Sequence, residues 1–135
     1  MSGRYALTCD GASRGNPGQA SLGVSLLDPQ GDPVIEFGRT LGVATNNVAE
    51  YEALIAGLEA ARDHNAVPLD VRLDSLLLVK QVLGEFRVKA PGLKPLQRRA
   101  VHLLAALGDV TVTHIRRELN KRADALANQA LDEAR

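Results

Sequence analysis

The chain is 135 residues long and carries 16 Lys and Arg against 16 Asp and Glu, so its formal net charge is zero. This length suits one domain with its own hydrophobic core, and we expect a single domain over residues 1–135. A single cysteine, Cys9, excludes an internal disulfide, and the sequence shows neither a signal-peptide pattern nor a membrane-spanning apolar run. We therefore expect a cytoplasmic protein without a membrane partner.

The charged residues are distributed unevenly along the chain. Residues 80–122 hold ten Lys and Arg against three acids, whereas residues 1–79 hold five Arg against ten acids. This asymmetry indicates an acidic site beside a basic flank, as in proteins that bind nucleic acid. Solvated helix faces are the simpler explanation of the counts alone.

Alternating apolar residues predict three antiparallel strands at the start of the chain. The first covers residues 4–10, and two more follow near 20–28 and 33–42, joined by the turn sequence DPQGDP. After the first strand, the glycines and proline of GASRGNPG predict a loop that another backbone could approach closely. Asp10 would therefore end a strand and lead directly into this loop.

From residue 45 onward, helices and strands alternate. The first helix opens in TNNVAEYEAL, with Thr45 or Asn46 as its N-cap. The complete order is βββαβααβα, which predicts an α/β fold with a five-stranded mixed sheet flanked by helices. The later elements are predicted at 69–74 (strand), 75–83 (helix), about 93–107 (helix, ended by Gly108), 110–115 (strand) and a closing helix that Asn120 caps.

Two acids follow strands that should be neighbours in the sheet. A strand–helix–strand connection is nearly always right-handed and makes its strands parallel, so Asp10 and Asp74 would both lie at carboxyl ends. Two carboxylates within a few ångström repel one another unless a proton or a cation lies between them, and a divalent metal is the economical solution. Taken singly, each Asp is explained as well by the turn or cap that follows it.

Two further acids are candidates for the same site. Glu50 and Glu52 both lie at the edge of the apolar stripe of the first helix, and periodicity does not choose between them. Asp124 lies in the first turn of the last helix, where an acid also complements the helix dipole. A carboxylate cluster without His or Cys favours Mg²⁺ or Mn²⁺ over zinc and points to phosphoryl-transfer chemistry.

Four segments resemble, in order and spacing, the motifs of the ribonuclease HI family: TCDGASRGNPG, TNNVAEYEAL, LDSLLLVKQVLGEFRVK and HIRRELNKRADALANQA. The resemblance covers nearly the whole chain. It is closest to the compact archaeal and bacterial branch, because only GEFRVKAPGLKP separates the middle helices where other relatives carry a basic protrusion. It implies the ribonuclease H-like fold, with helices on both faces of the sheet. It also implies endonucleolytic hydrolysis of the RNA strand of RNA–DNA hybrids, which leaves 5′-phosphate and 3′-hydroxyl ends.

By position, the resemblance places the catalytic, metal-binding carboxylates on Asp10, Glu50, Asp74 and Asp124, and so selects Glu50 over Glu52. In the family's scheme, two ions of Mg²⁺ or Mn²⁺ bind at this site. Asp10 and Asp124 would hold one ion, and Asp10, Glu50 and Asp74 would hold the other. Two ions about 3.5–4 Å apart can stabilise both the entering and the leaving oxygen of an in-line displacement.

Two basic residues are candidates for a direct catalytic role. Arg117 lies seven residues before Asp124, where the compact branch carries an arginine that contributes to catalysis. His114 lies ten residues before Asp124, the offset of a histidine that assists product release or proton transfer in relatives, although here it ends a predicted strand. We expect Arg117 to matter more, since a guanidinium is well suited to phosphate charge.

The resemblance also places substrate contacts on Gly11, Asn16, Asn46, Asn47 and Ser75. An amide side chain both donates and accepts hydrogen bonds, which suits the ribose 2′-hydroxyl and base edges. Turn geometry and helix capping are the alternative explanation for Asn16 and Asn46.

Other functions of the same fold stay open at this point. The chain could be a non-catalytic nucleic-acid-binding module, or a nuclease that acts on double-stranded RNA, which is also a candidate second substrate beside the RNA–DNA hybrid. We expect a monomer, because no exposed apolar stripe stands out in the sequence.

Overall fold

The computed structural model describes residues 3–134, which form one five-stranded sheet and four α-helices. None of these helices is long and apolar enough to cross a membrane. The elements in chain order are β1 (Tyr5–Gly15), β2 (Gly18–Leu27), β3 (Pro33–Ala44), α1 (Asn46–Asp63), β4 (Leu69–Leu73), α2 (Leu76–Val82), α3 (Lys94–Leu107), β5 (Val110–His114), a 3₁₀ turn (Arg117–Leu119) and α4 (Lys121–Glu133).

The sheet is mixed, with strand order β3-β2-β1-β4-β5. β1, β2 and β3 are antiparallel neighbours, whereas β1, β4 and β5 run parallel, with Val71 of β4 paired to Leu7 and Val112. The predicted element order, the antiparallel meander and the parallel pairing of the first strand with the strand at 69–74 are therefore confirmed. The 3₁₀ turn before α4 is an additional element that periodicity does not reveal.

The segment after Asp10 is a strand, so the predicted loop is wrong. β1 continues to Gly15, and residues 11–15 pair with residues 18–22 of β2 across a tight hairpin. Small residues have little intrinsic strand preference, but pairing with β2 satisfies their backbone hydrogen bonds. The parallel pairing with β4 ends at Thr8, so Asp10 lies where β1 separates from β4.

Helices cover both faces of the sheet. α1 packs on one face and α3 packs against α1, and the main hydrophobic core on this side includes Leu7 of β1, Val24 of β2 and Leu54 of α1. α4 packs on the other face, across β1, β2 and β3. This arrangement confirms the implied ribonuclease H-like architecture.

Helix α4 lies directly on the backbone of β2 and β3. A Cβ atom at Gly23 would overlap the carbonyl oxygen of Ala123, and Gly38 of β3 makes a similarly close approach to α4. Ser21, which is fully buried, donates a hydrogen bond from its hydroxyl to the Ala127 carbonyl oxygen (2.6 Å). The helix that carries Asp124 is thus held by backbone contact with the sheet.

Gly23→Ala is expected to lower the free energy of unfolding by about 1–3 kcal/mol or more, because the backbone oxygen of Ala123 cannot move aside unless α4 shifts. Denaturation in urea measures the change. Gly92→Ala is the matched control, since a Cβ atom there meets nothing within 4 Å. An effect at Gly23 as small as that at Gly92 would mean that α4 can shift without cost.

Candidate active site

Asp10 and Asp74 approach each other because β1 and β4 run parallel. Asp10 lies two residues beyond Thr8, the last residue of β1 paired with β4, and Asp74 directly follows Leu73, the last residue of β4. Both side chains line the same open cleft at the carboxyl ends of these strands. This is the edge at which ligands bind in open α/β sheets.

Glu50 reaches the cleft because α1 begins directly against β1. A Cβ atom at Gly11 would overlap the backbone of Ala49 and Glu50, so only glycine permits this approach. This packing accounts for glycine at position 11, and its predicted contact with substrate stays a prediction. Thr45 is the N-cap, since its hydroxyl accepts a hydrogen bond from a backbone N–H of the first turn, and Asn46 is the first helical residue.

Asp124 enters the site from the opposite face of the sheet, in the first turn of α4. Asn128, one helical turn later, donates from its side-chain amide to the Asp124 carboxylate (3.2 Å) and to the Asp124 carbonyl oxygen (3.0 Å). These bonds hold the carboxylate over the first turn, where the helix dipole also favours a negative charge.

The carboxylates share one open cleft of about 410 Å³. Its lining combines the four predicted carboxylates with an arginine, two asparagines and the small residues that follow Asp10 in β1. The lining residues are Asp10, Gly11, Ala12, Ser13, Asn46, Glu50, Asp74, Arg117, Asp124 and Asn128.

The other predicted site residues lie around this cleft. Asn47 and Ser75 line a smaller pocket beside it. The side-chain oxygen of Asn16 accepts a hydrogen bond from the Asn46 N–H (3.1 Å), so Asn16 ties the β1–β2 hairpin to the start of α1. His114 is exposed at the end of β5 and lies outside the lining of the cleft.

Burial and the neighbouring acids raise the pKa of two members of the carboxylate cluster. Burial, a hydrogen bond with the Asp124 carboxyl group and the charges of the three neighbouring carboxylates raise the pKa of Asp10 to about 8. Burial and the charge of Asp74 raise the pKa of Glu50, an effect that hydrogen bonding and the positive charge of Arg117 partly offset. The site therefore holds more negative charge than its own basic groups balance, and a cation would stabilise the ionised acids.

The donor set fits a hard divalent cation. All four acids offer carboxylate oxygens, the ligands that Mg²⁺ and Mn²⁺ prefer. Within residues 3–134, no three His, Cys, Asp or Glu side chains already stand in the geometry of a formed metal site. Mg²⁺ usually keeps several waters in its shell, so it does not require an all-protein cage.

Arg117 places a positive charge on the wall of this acidic cleft. It lies in the 3₁₀ turn that precedes α4, and its side chain is exposed. Across the described part of the chain it makes no ion pair, whereas Arg99 and Arg122 pair with Glu59 and Glu36. A guanidinium without an acidic partner is available to bind phosphate oxygens.

Sequence reasoning missed the roles of two asparagines. Asn128 follows Asp124 by four residues, so helical spacing alone could have placed it on the same face. Asn120, predicted only as a helix cap, donates a hydrogen bond to the Asp74 carboxylate (3.1 Å). No local pattern signals this contact, because it joins residues that are far apart in the chain.

The chain is similar to ribonucleases H over nearly its whole length. The family model described as "Reverse transcriptase-like" matches residues 8–130. Ribonuclease HI of Halobacterium salinarum is 49% identical over 132 residues, which cover 98% of this chain and 66% of that protein. A bifunctional protein of Mycobacterium tuberculosis is 39% identical over 132 residues, which cover 97% of this chain and 36% of that protein. The chain thus spans about two thirds of one curated relative and about a third of the other.

Solved structures show the same similarity. The crystal structure of RNase H1 from Halobacterium salinarum superposes with a TM-score of 0.93 at 49% identity, covering 97% of this chain and 99% of that chain. A compost RNase H1 in complex with an RNA/DNA hybrid superposes with a TM-score of 0.89 at 39% identity, covering 97% of this chain and 99% of that chain. Both superpositions therefore extend over nearly the whole of each chain.

Proposed function

The chain belongs to the ribonuclease HI family, and we propose that it is a metal-dependent endonuclease that hydrolyses the RNA strand of RNA–DNA hybrids. The observation that carries this proposal is the convergence of four carboxylates and an arginine on one open cleft. The solved complex of the compost relative with an RNA/DNA hybrid supports the same substrate class here.

The four carboxylates would hold two divalent ions, for which we propose Mg²⁺ or Mn²⁺. Asp10 and Asp124 would hold one ion, and Asp10, Glu50 and Asp74 the other. The oxygen-only donor set supports this assignment. Burial and the three neighbouring carboxylates together raise the pKa of Asp10, and a bound cation would stabilise its ionised form. When bound, such ions activate water and stabilise charge on the reacting phosphate.

The remaining residues would position the hybrid. Arg117 would neutralise charge that develops on the scissile phosphate, because it lines the cleft and forms no ion pair within residues 3–134. Gly11, Asn46, Asn47 and Ser75 would contact the RNA strand beside its 2′-hydroxyls, which both donate and accept hydrogen bonds. Hydrolysis on this route needs no covalent intermediate with the protein and leaves 5′-phosphate and 3′-hydroxyl ends.

Two alternatives predict different behaviour from the same fold. A non-catalytic binding module would not need all four carboxylates in one cleft. A nuclease specific for double-stranded RNA would need to contact ribose on both strands. Double-stranded RNA also stays a candidate second substrate of the proposed hybrid nuclease. A monomeric state and a cytoplasmic location also stay predictions.

Cleavage of end-labelled substrates tests the proposal. With Mg²⁺ or Mn²⁺ present, we expect the RNA strand of a hybrid to be cut internally, duplex DNA to stay intact and double-stranded RNA to be cut more slowly or not at all. The ends of the products are then identified by phosphatase and ligase treatment.

Three outcomes would contradict the proposal. Cleavage that persists in a chelator would exclude the metal-dependent route. Faster cleavage of duplex RNA than of hybrid would favour the second alternative. Tight hybrid binding without cleavage in either metal would favour the non-catalytic module.

A further inference from the structure

Asn120 lies where the 3₁₀ turn meets α4, behind the carboxylate cluster. Only 1% of its surface is exposed, and it is among the largest fully buried residues of the protein. A polar side chain this deeply buried must find hydrogen-bond partners inside the protein. Its partners are all on segments that carry predicted site residues.

The side-chain amide of Asn120 donates two hydrogen bonds. One goes to the carbonyl oxygen of Cys9, the residue before Asp10 (3.0 Å), and the other goes to a carboxylate oxygen of Asp74 (3.1 Å). A flipped amide would turn its oxygen toward two acceptors, so these partners fix its orientation. The amide therefore bridges β1 and the end of β4 beside the two central carboxylates.

The backbone of Asn120 contacts the other two site segments. Its N–H donates to the carbonyl oxygen of Arg117 (2.9 Å), and its carbonyl oxygen accepts from the N–H of Asp124 (3.2 Å). One buried residue thus links the strands that carry Asp10 and Asp74 to the segments that carry Arg117 and Asp124.

The side chain of Asn120 does not cap α4, although Asn120 is the N-cap residue of this helix. Asn at an N-cap normally accepts a hydrogen bond from a backbone N–H of the first helical turn, but Asn120 makes no such side-chain bond within residues 3–134. Its side-chain oxygen is also buried without a protein partner among those residues. Both features cost stability, which points to a functional reason for the amide.

We propose that Asn120 is a positioning residue whose amide holds the Asp74 carboxylate, and with it the metal-binding cluster, in the arrangement that binds divalent ions. The inference rests on the proposed function, because it assigns the cluster to metal binding. Residues that hydrogen-bond to a metal-binding carboxylate typically change metal affinity or activity by about 10–100-fold when they are replaced.

A purely structural role is the competing explanation, and the chain offers a matched control for it. Ser21 is also fully buried. Its hydroxyl joins the sheet to α4 through one hydrogen bond, to the Ala127 carbonyl oxygen. Ser21 lies outside the lining of the cleft. Ser21→Ala therefore weakens the attachment of α4 without removing a contact to Asp74.

The experiment compares Asn120→Ala, Asn120→Asp and Ser21→Ala with the unaltered protein. Thermal unfolding is followed without hybrid while Mn²⁺ is titrated, and cleavage of hybrid is measured against Mg²⁺ concentration. For Asn120→Ala we expect a half-saturating metal concentration about tenfold higher and a kcat about 10–100-fold lower, with a KM for hybrid within about twofold. Asn120→Asp keeps the shape of the side chain but replaces the donating amide with a carboxylate oxygen that faces Asp74. The half-saturating metal concentration of this variant should therefore rise at least as much.

Ser21→Ala should lower the unfolding temperature and leave the half-saturating metal concentration unchanged. If Asn120→Ala behaves in the same way, Asn120 is a structural anchor and the inference is overturned. If Asn120→Ala does not fold, Asn120→Ser replaces it, since serine keeps a donor at a smaller size. Wild-type metal requirement in folded Asn120→Asp would overturn the inference independently.

A double-mutant comparison separates this inference from the proposed function. In an Asp74→Asn background, Asn120→Ala should add no further loss of Mn²⁺ affinity, because the contact through which it acts is already altered. Additive losses would overturn the inference. This measurement needs no hybrid cleavage, so failure of the nuclease proposal would appear only in the cleavage assay.

Discussion

Asp10→Asn is expected to abolish cleavage of the RNA strand while leaving the protein folded. Asp10 is the carboxylate on which the charges of the other three acids converge, and it would contact both proposed ions. Removing its charge takes away a ligand from each ion, so we expect kcat to fall by at least about a thousandfold, a loss on the scale of removing a group that stabilises the transition state. Single-turnover cleavage in saturating Mg²⁺ measures the loss.

The same substitution should stabilise the metal-free protein at alkaline pH. The folded pKa of Asp10, about 8, lies above the ordinary Asp value of about 3.9. Because the folded state holds this proton more tightly, the wild-type protein loses stability as the pH rises from about 4 to about 8. Asn carries no charge, so Asp10→Asn should unfold at a higher temperature than wild type in a chelator at pH 8, with a smaller difference near pH 5.

A pair of substitutions in α1 controls for the removal of charge. Glu50→Gln and Glu52→Gln each remove one acid from the first turns of α1, but only Glu50 lines the cleft. We expect Glu50→Gln to lose most of its activity and Glu52→Gln to keep it. Near-wild-type turnover by Asp10→Asn in excess Mg²⁺, or equal losses in the two Glu variants, would contradict the assignment of the carboxylates.

Arg117→Ala is expected to reduce kcat by about 100-fold while the affinity for hybrid changes only a few-fold. The guanidinium lines the cleft and has no ion-pair partner in residues 3–134, so its charge is available to the phosphate where negative charge develops. Single-turnover rates give the loss in the chemical step, and equilibrium binding of hybrid to the Asp10→Asn and Asp10→Asn/Arg117→Ala proteins gives the loss in affinity.

His114→Ala provides the comparison for Arg117. His114 is exposed and lies outside the lining of the cleft, so we expect its loss to reduce turnover much less. Equal losses of turnover and affinity in Arg117→Ala would identify Arg117 as a binding residue. A larger loss for His114→Ala would reverse the two roles.

The positions of Asp10 and Asp74 follow from the sequence because handedness and strand order are general properties of α/β folds. Periodicity finds the two strands, and the connection rule makes them parallel neighbours. Glu50 required the family resemblance, since an acid at either edge of the apolar stripe satisfies the helical period. In the structure, Glu50 lies close to β1 because Gly11 has no side chain and lets the backbone of Ala49 and Glu50 approach.

Other features could not be predicted, because neither periodicity nor residue preference reveals them. The extension of β1 beyond Asp10 depends on pairing with β2, which small residues do not signal. The contact of Asn120 with Asp74 joins residues 46 positions apart. Its local sequence instead predicts a capping role that the side chain does not perform.

The packing of α4 directly on the backbone of Gly23 and Gly38 makes the position of Asp124 depend on an intact sheet. Because Gly23 places no side chain between β2 and the backbone of α4, the helix that carries Asp124 packs directly on the sheet, and we expect α4 and the sheet to unfold together. Heat should therefore not produce a folded but inactive intermediate. Loss of nuclease activity and loss of tertiary structure should follow one common melting curve.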